Sequence, residues 1–404
     1  MTTPLAPINR SIEDSQHRKT LLLLSVCAFS SMASMRMCDA LLPALASAFS
    51  ADMSKVSSTI SVFAFAYGIL QLLYGPAGDR YGKTRVIALG MLGCAVGNAG
   101  AALSTHLDWL VASRALSGAA AAGIAPLSMA WIGDNVAYER RQQVLAQLLT
   151  ATVTGMIAGQ WLGAWLGTSF GWQTPFFLLS FVFLCGGGML LRHAPSAVHA
   201  IPPERTGGAL QFRTVVSIPW ARTVLALTFL EGALAFGALP LIPAYLASRF
   251  GVSIVTAGAT VALFGVGGFI YGRTVRFALQ QHSVATLIRA GGVCFAVSFT
   301  TLGIASTYFW AVPSCLLAGF GLYAIHNSLQ TSATQMAPQA RGTSMSLFSC
   351  CLFFGQAFGV SIGAAVTQQS SPRAIFVVVA ICILALSFIF AYTKVNRDRH
   401  EART

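Results

Sequence analysis

The chain has 404 residues, of which 55% are apolar and 9% charged, with 25 basic against 12 acidic side chains and a net charge of +13. Soluble domains carry about 25% charged and about 45–50% apolar residues, which excludes a soluble enzyme, a disordered chain and a secreted disulfide scaffold. About 222 apolar residues would fill some eleven spans of roughly 20 residues, so the chain reads as an all-α polytopic membrane protein.

The first apolar run, from Thr20 to about Leu45, follows a polar stretch ending His17-Arg18-Lys19. It is too long for the 7–15-residue core of a cleavable signal and reads as a retained helix. Apolar runs broken by charge, Pro and Gly then predict twelve helices. They lie near 20–47, 55–77, 84–104, 107–132, 143–169, 172–191, 216–247, 253–273, 284–305, 308–331, 343–369 and 373–393. Twenty basic residues fall in the N-terminus, the even-numbered loops and the C-terminal tail. Lys55, Arg249 and Arg373 lie on the opposite face, and Arg36 and Arg114 within helices. The positive-inside rule then places both termini in the cytoplasm. Because the basic residues are spread over short loops rather than gathered on one soluble surface, no nucleic-acid partner is expected. The nine Cys are scattered, mostly inside apolar runs and without ligand spacing; no metal, cofactor or disulfide is expected from them.

The longest polar connection, rich in Pro and Gly, separates helices six and seven. The expected organisation is a tail at 1–19, a six-helix bundle at 20–192, a linker at 193–215, a second bundle at 216–393 and a basic tail at 394–404. A shift of 200 residues overlays Arg141 on Arg341, Gly155 on Gly355, Gly159 on Gly359 and Gly163 on Gly363. Two pseudo-symmetric six-helix halves are a transporter architecture, with the substrate between them near the midplane.

After helix two comes Gly75-Pro76-Ala77-Gly78-Asp79-Arg80-Tyr81-Gly82-Lys83-Thr84-Arg85, a tight, charge-alternating turn. This run resembles the signature loop of the major facilitator superfamily, Gly-x-x-x-Asp-Arg-x-Gly-Arg-Arg, with Lys83 and Thr84 as variations. Arg114-x-x-x-Gly118 resembles the second motif of that family, and Gly155, Gly159, Gly163 and Gly167 resemble the helix-five motif of its 12-helix drug/proton antiporter branch. Gln160 stands where that branch has Pro. The glycines also fit plain helix packing, because small residues every four positions let helices approach closely. The resemblance implies the major facilitator fold over essentially the whole chain. It also implies a cytoplasmic latch with Asp79 near Thr343-Ser344 at the start of helix eleven, beside Arg341, and with Arg80 or Arg85 facing Asp134 or Glu139.

Ionisable groups at mid-membrane cost at least ~2.5–3.5 kcal/mol, so each calls for a reason. Arg36 and Asp39 share a face of helix one, and Arg114 of helix four falls with them in the outer half. The three form either a neutralised packing cluster or a proton site built on Asp39, with an Arg competing for it; an unpaired Arg36 or Arg114 would instead bind an anionic group. Glu231, about 13 residues into helix seven and so near the midplane at 1.5 Å per residue, is a candidate proton site or cation partner. His326 reads as a helix-to-helix hydrogen bond or a proton relay. Gln71, Gln160, Asn327 and Gln356 are cavity candidates, because polar groups avoid lipid; with Arg36, Glu231 and His326 they make up the expected substrate site.

No nucleotide-binding loop and no HExxH or GxSxG motif occurs, which argues against ATP drive and against an intramembrane enzyme. The expected function is proton-coupled export of a small amphipathic or drug-like compound across the bacterial inner membrane by a monomer. The alternative is proton-coupled uptake of a small organic anion.

Overall fold

The computed structural model describes residues 7–193, 208–369 and 372–401. The described residues are helical almost throughout, with no strand. Helix one is Pro7–Arg36, continued by a tight 3-10 turn (Met37–Ala40) into Leu42–Ala48. Helices two and three are Met53–Tyr81 and Lys83–Ala102, and helix four is Leu107–Ala121 with Ile124–Asn135. Helices five and six are Tyr138–Phe170 and Thr174–His193. Helix seven is broken most: Pro219–Glu231, a wide π turn at Gly232–Phe236, a 3-10 turn at Leu239–Leu241, then Ile242–Phe250. Helices eight to twelve are Ile254–Gln281, Val284–Ile304, Ala311–Gln335, Arg341–Gln369 and Pro372–Glu401.

Eleven of these are long and apolar enough to cross a membrane. Helix five has 33 residues but also Gln143, Gln147, Thr150, Thr152, Thr154 and Gln160, and that polarity keeps it below the hydropathy of the others. Two expected boundaries move. A helix at Gly208–Ser217 occupies the end of the 193–215 linker, and helix twelve runs through the expected 394–404 tail as far as Glu401. The Lys394–Asp398 pair at 3.2 Å, four residues apart, supports that extension.

The breaks have local causes. In helix four the carbonyls freed near Ala121 need partners, and the Tyr74 hydroxyl donates to Ala119 O and Ala120 O at 2.9 and 3.2 Å. Between helices two and three the backbone turns at Gly82, whose φ of +88° is a conformation that glycine adopts without penalty.

The two halves are built alike. The Cβ positions of Gly155 and Gly159 fall 2.3 and 2.4 Å from the carbonyl oxygens of Phe29 and Ala33. In the second half a Cβ added to Gly355 or Gly359 would run into the carbonyl oxygens of Phe229 and Ala233 in the same way. Helix five thus packs on helix one as helix eleven packs on helix seven, residue for residue at the 200-residue spacing. Gly118 on Phe63 is repeated by Gly319 on Phe264. Buried apolar side chains follow this division: one core is drawn wholly from residues 215–391, and the others come from the first half, joined by Val360.

The bundles meet along two seams. Gly68 of helix two receives Phe353 and Phe354 of helix eleven, and Gly258 and Gly265 of helix eight receive Ala164 and Ile157 of helix five. The broken turns of helices one and seven also touch. All these contacts lie from mid-helix toward the side away from the termini. On the terminal side Gly75, Gly272 and Gly342 have no other atom within 4 Å of an added Cβ.

Candidate functional site

The breaks in helices one and seven place charge at the centre. Arg36 ends the regular part of helix one, and its Nη1 lies 3.5 Å from Asp39 Oδ2. The side chains are 2% and 0% exposed, so the pair is closed off from solvent and its electrostatics act at low dielectric. Gln160 of helix five donates Nε2–H to the same Oδ2 at 3.3 Å. Asp39 Oδ1 and Arg36 Nε are buried without a partner. The Arg36 guanidinium lies 5.6 Å from the Phe236 ring of helix seven.

Arg114 is held differently from the expected cluster. Its nearest acceptors are neutral: Nε donates to Thr59 O at 3.3 Å, Nη1 to Ser34 Oγ at 3.4 Å and Nη2 to Ser34 O at 3.1 Å. The guanidinium stacks 4.1 Å from the Phe63 ring. Among the described residues no carboxylate lies within ion-pair distance of Arg114, so Asp39 pairs with Arg36 and does not bridge the two arginines. Helices one, two and four are thereby tied together through backbone oxygens. Asn98 extends the network by accepting from Ser34 Oγ at 3.5 Å.

In the second half Glu231 is fully buried, and its Oε2 lies 3.2 Å from His326 Nδ1 of helix ten. Oε1 has no partner. The His326 ring is bounded by Phe236, Tyr323 and Phe348 at 5.8, 6.4 and 5.7 Å. Gln356 is buried on helix eleven where that helix crosses Gly232, one residue beyond Glu231. Asn327 is half-buried beside His326. Gln71 is half-buried on helix two, its Oε1 without a partner. Thus Arg36, Asp39, Gln160, Glu231, His326 and Phe236 come together around the broken helices, while Arg114 stands apart. Sequence reasoning missed Ser34, Thr59 and Asn98, which are neutral and carry no spacing signal.

Two cavities stand out, one beside the cluster and one distant from it. One of about 10 Å³, the space of one water, is lined by Arg36, Gln160, Leu239, Phe264 and neighbours. The other, of about 500 Å³, opens on the terminal side between helices one and five, at Arg18, Lys19, Leu21, Leu22, Ser25 and Gln147.

The loop after helix two is corrected in its partners. Lys83 reaches Asp134 Oδ2 at 2.6 Å and Asp79 Oδ1 at 3.3 Å, whereas Arg80 stacks on Tyr81. Of the described acids here, Asp79 and Asp134 both face Lys83, and neither is within ion-pair distance of Arg80 or Arg85. Ser344 Oγ at the start of helix eleven is buried without a partner, so no Asp79–Ser344 bond forms here. Arg341 is exposed, and the Glu139 side chain lies outside the described residues. Because Asp79 and Asp134 are more than half exposed, their pairs with Lys83 contribute little to stability. Lys83→Met is expected to shift the melting temperature by no more than about 2–4 °C while slowing transport. A parental transport rate in that variant would remove the loop from the mechanism.

The sequence model of the Major Facilitator Superfamily matches residues 24–352. The chain is 25% identical over 411 residues to the uncharacterized MFS-type transporter YwfA of Bacillus subtilis, covering 98% of this chain and 97% of that protein. It is 24% identical over 400 residues to a chloramphenicol resistance protein of Pseudomonas aeruginosa, covering 94% and 90%. Among solved structures it resembles the nucleoside transporter NupG with a TM-score of 0.74 at 14% identity, covering 92% and 98%. With paired bundles, broken central helices and a match spanning most of its length, this chain belongs to the Major Facilitator Superfamily and is a transporter, not an enzyme.

Proposed function

We propose that the chain is a proton-coupled exporter of a small amphipathic compound, acting as a single copy in the bacterial inner membrane. The observation that carries this reading is a buried carboxylate in each half, Asp39 and Glu231, each with one oxygen unpartnered. A carboxylate at this depth is costly unless it is paired, hydrogen-bonded or protonated. Asp39 and Glu231 each have one engaged oxygen and one left to take a proton or a substrate group. Charge supports cytoplasmic termini, since twenty of the 25 basic residues fall on that side of the expected topology. The chloramphenicol resistance relative favours export of compounds of that kind.

Everted vesicles energised by respiration test this, with chloramphenicol first in a panel of amphipathic compounds. A transported compound is expected to release protons from the lumen, and Asp39→Asn or Glu231→Gln to cut that release by roughly 10-fold or more with folding intact. Undiminished release in both variants would end the assignment of coupling to these acids.

A second reading, uptake of a small organic anion, rests on Arg36 Nε, which is buried and free. It expects accumulation of a carboxylate-bearing compound in right-side-out vesicles when a pH gradient is imposed.

A further inference from the structure

Positions 36 and 236 are repeat mates at the same 200-residue spacing that relates Gly155 to Gly355 and Gly159 to Gly359. They also touch, through the Arg36 guanidinium and the Phe236 ring. Groups related by a twofold meet only beside its axis, so this contact marks the centre of the molecule. There the turns Met37–Ala40 and Leu239–Leu241 also adjoin.

Phe236 therefore stands between two ionisable clusters, one from each bundle. On one side are Arg36 and Asp39, with Arg36 Nε and Asp39 Oδ1 unpartnered. On the other is His326, 5.8 Å from the Phe236 ring, backed by Glu231 with Oε1 unpartnered. A buried water needs two to four polar partners and about 10–15 Å³ of room. The partners are present, and the small cavity beside Arg36 and Gln160 already offers about 10 Å³. The phenyl ring has no donor or acceptor, so it adds no link to a hydrogen-bonded chain between Asp39 and His326.

We propose that Phe236 is a proton insulator, a positioning residue that stops the acid of one bundle from exchanging protons with the acid–imidazole pair of the other while no substrate is bound. This rests on reading Asp39 and Glu231 as proton carriers. Without the ring, water enters, bridges the orphaned atoms and lets protons cross without cargo.

Purified protein in liposomes loaded with pyranine, with potassium and valinomycin clamping the voltage, tests this without any transported compound. After a pH step the parent and Phe236→Leu are expected to hold the gradient. Phe236→Ala, which opens space for water, is expected to dissipate it roughly ten-fold faster. Adding Asp39→Asn to Phe236→Ala is expected to restore retention. A Phe236→Ala protein as tight as the parent overturns the insulator, and so does a leak that persists without Asp39. Phe236→Val gives the same reading should the alanine variant fail to insert. The compound-driven assay in everted vesicles judges the transport reading separately.

Discussion

Gly159→Val and Gly359→Val are each expected to abolish recovery of folded protein, and the corresponding alanine variants to melt far below the parent. A Cβ at Gly159 would lie 2.4 Å from Ala33 O and 2.6 Å from Ala33 Cα; at Gly359 it would lie 1.9 Å from Ala233 O. Comfortable contact between such atoms begins near 3.5 Å, so the helix pairs must separate by more than about 1 Å. Both obstacles are backbone, which cannot rotate out of the way. Overpacking costs typically ~1–3 kcal/mol and sometimes more, and the alanine variants should sit at or above the top of that range. Because the two sites are repeat mates with the same neighbours, Gly159→Ala and Gly359→Ala should lose similar stability. Gly188, with nothing within 4 Å of an added Cβ, is the control: Gly188→Ala should be neutral or raise stability by up to about 1 kcal/mol. Yield of monodisperse protein in detergent and the melting temperature of the alanine variants measure this. A Gly159→Ala protein that melts with the parent would show that helices one and five do not approach so closely.

The glycine spacing is legible in the sequence alone, because a small residue every fourth position can serve close helix contact and little else. The Arg36–Asp39 pair is legible for a similar reason: three residues apart on a helix, two side chains share a face. Glu231 and His326 are 95 residues apart, and nothing local tells a sequence that helices seven and ten bring them together. Arg114 is buried, but its partners are the backbone oxygens of Ser34 and Thr59 and the Ser34 hydroxyl. Such acceptors occur at every turn of every helix and leave no signature. The π turn at Gly232–Phe236 is equally silent, yet it sets the angle at which Phe236 reaches Arg36. In the loop after helix two the signature residues are evident but their pairing is not. Lys83 is the first residue of helix three, just past the Gly82 turn and within reach of two acids, and nothing in the sequence says that it faces them where Arg80 does not.

Arg114→Lys is expected to destabilise the protein more than Arg114→Met, the reverse of what charge conservation suggests. The guanidinium is fully buried and ties helix four to Ser34 of helix one and Thr59 of helix two through three donors at 3.1–3.4 Å. Its flat face also covers Phe63 at 4.1 Å. A lysine ammonium is a point charge without the planar fork and cannot span both helices or stack on the ring. It keeps the desolvation cost of the charge while losing two hydrogen bonds from a charged donor, worth about 1.5–3 kcal/mol each. Methionine removes the charge and fills much of the same volume. The Thr59 carbonyl lies well inside helix two, whereas Ser34 sits in the last turn of helix one and its carbonyl is the one exposed to loss, so the expected cost is nearer ~1–3 kcal/mol. Arg114 has no carboxylate partner among the described residues, so Arg114→Met should also retain compound-driven proton movement, in contrast to Asp39→Asn. Melting temperatures of the two variants, with the everted-vesicle assay on the methionine protein, decide the matter. A lysine variant as stable as the parent would mean that charge alone is needed at this position. A methionine variant that folds but no longer moves protons would return Arg114 to the coupling machinery beside Asp39.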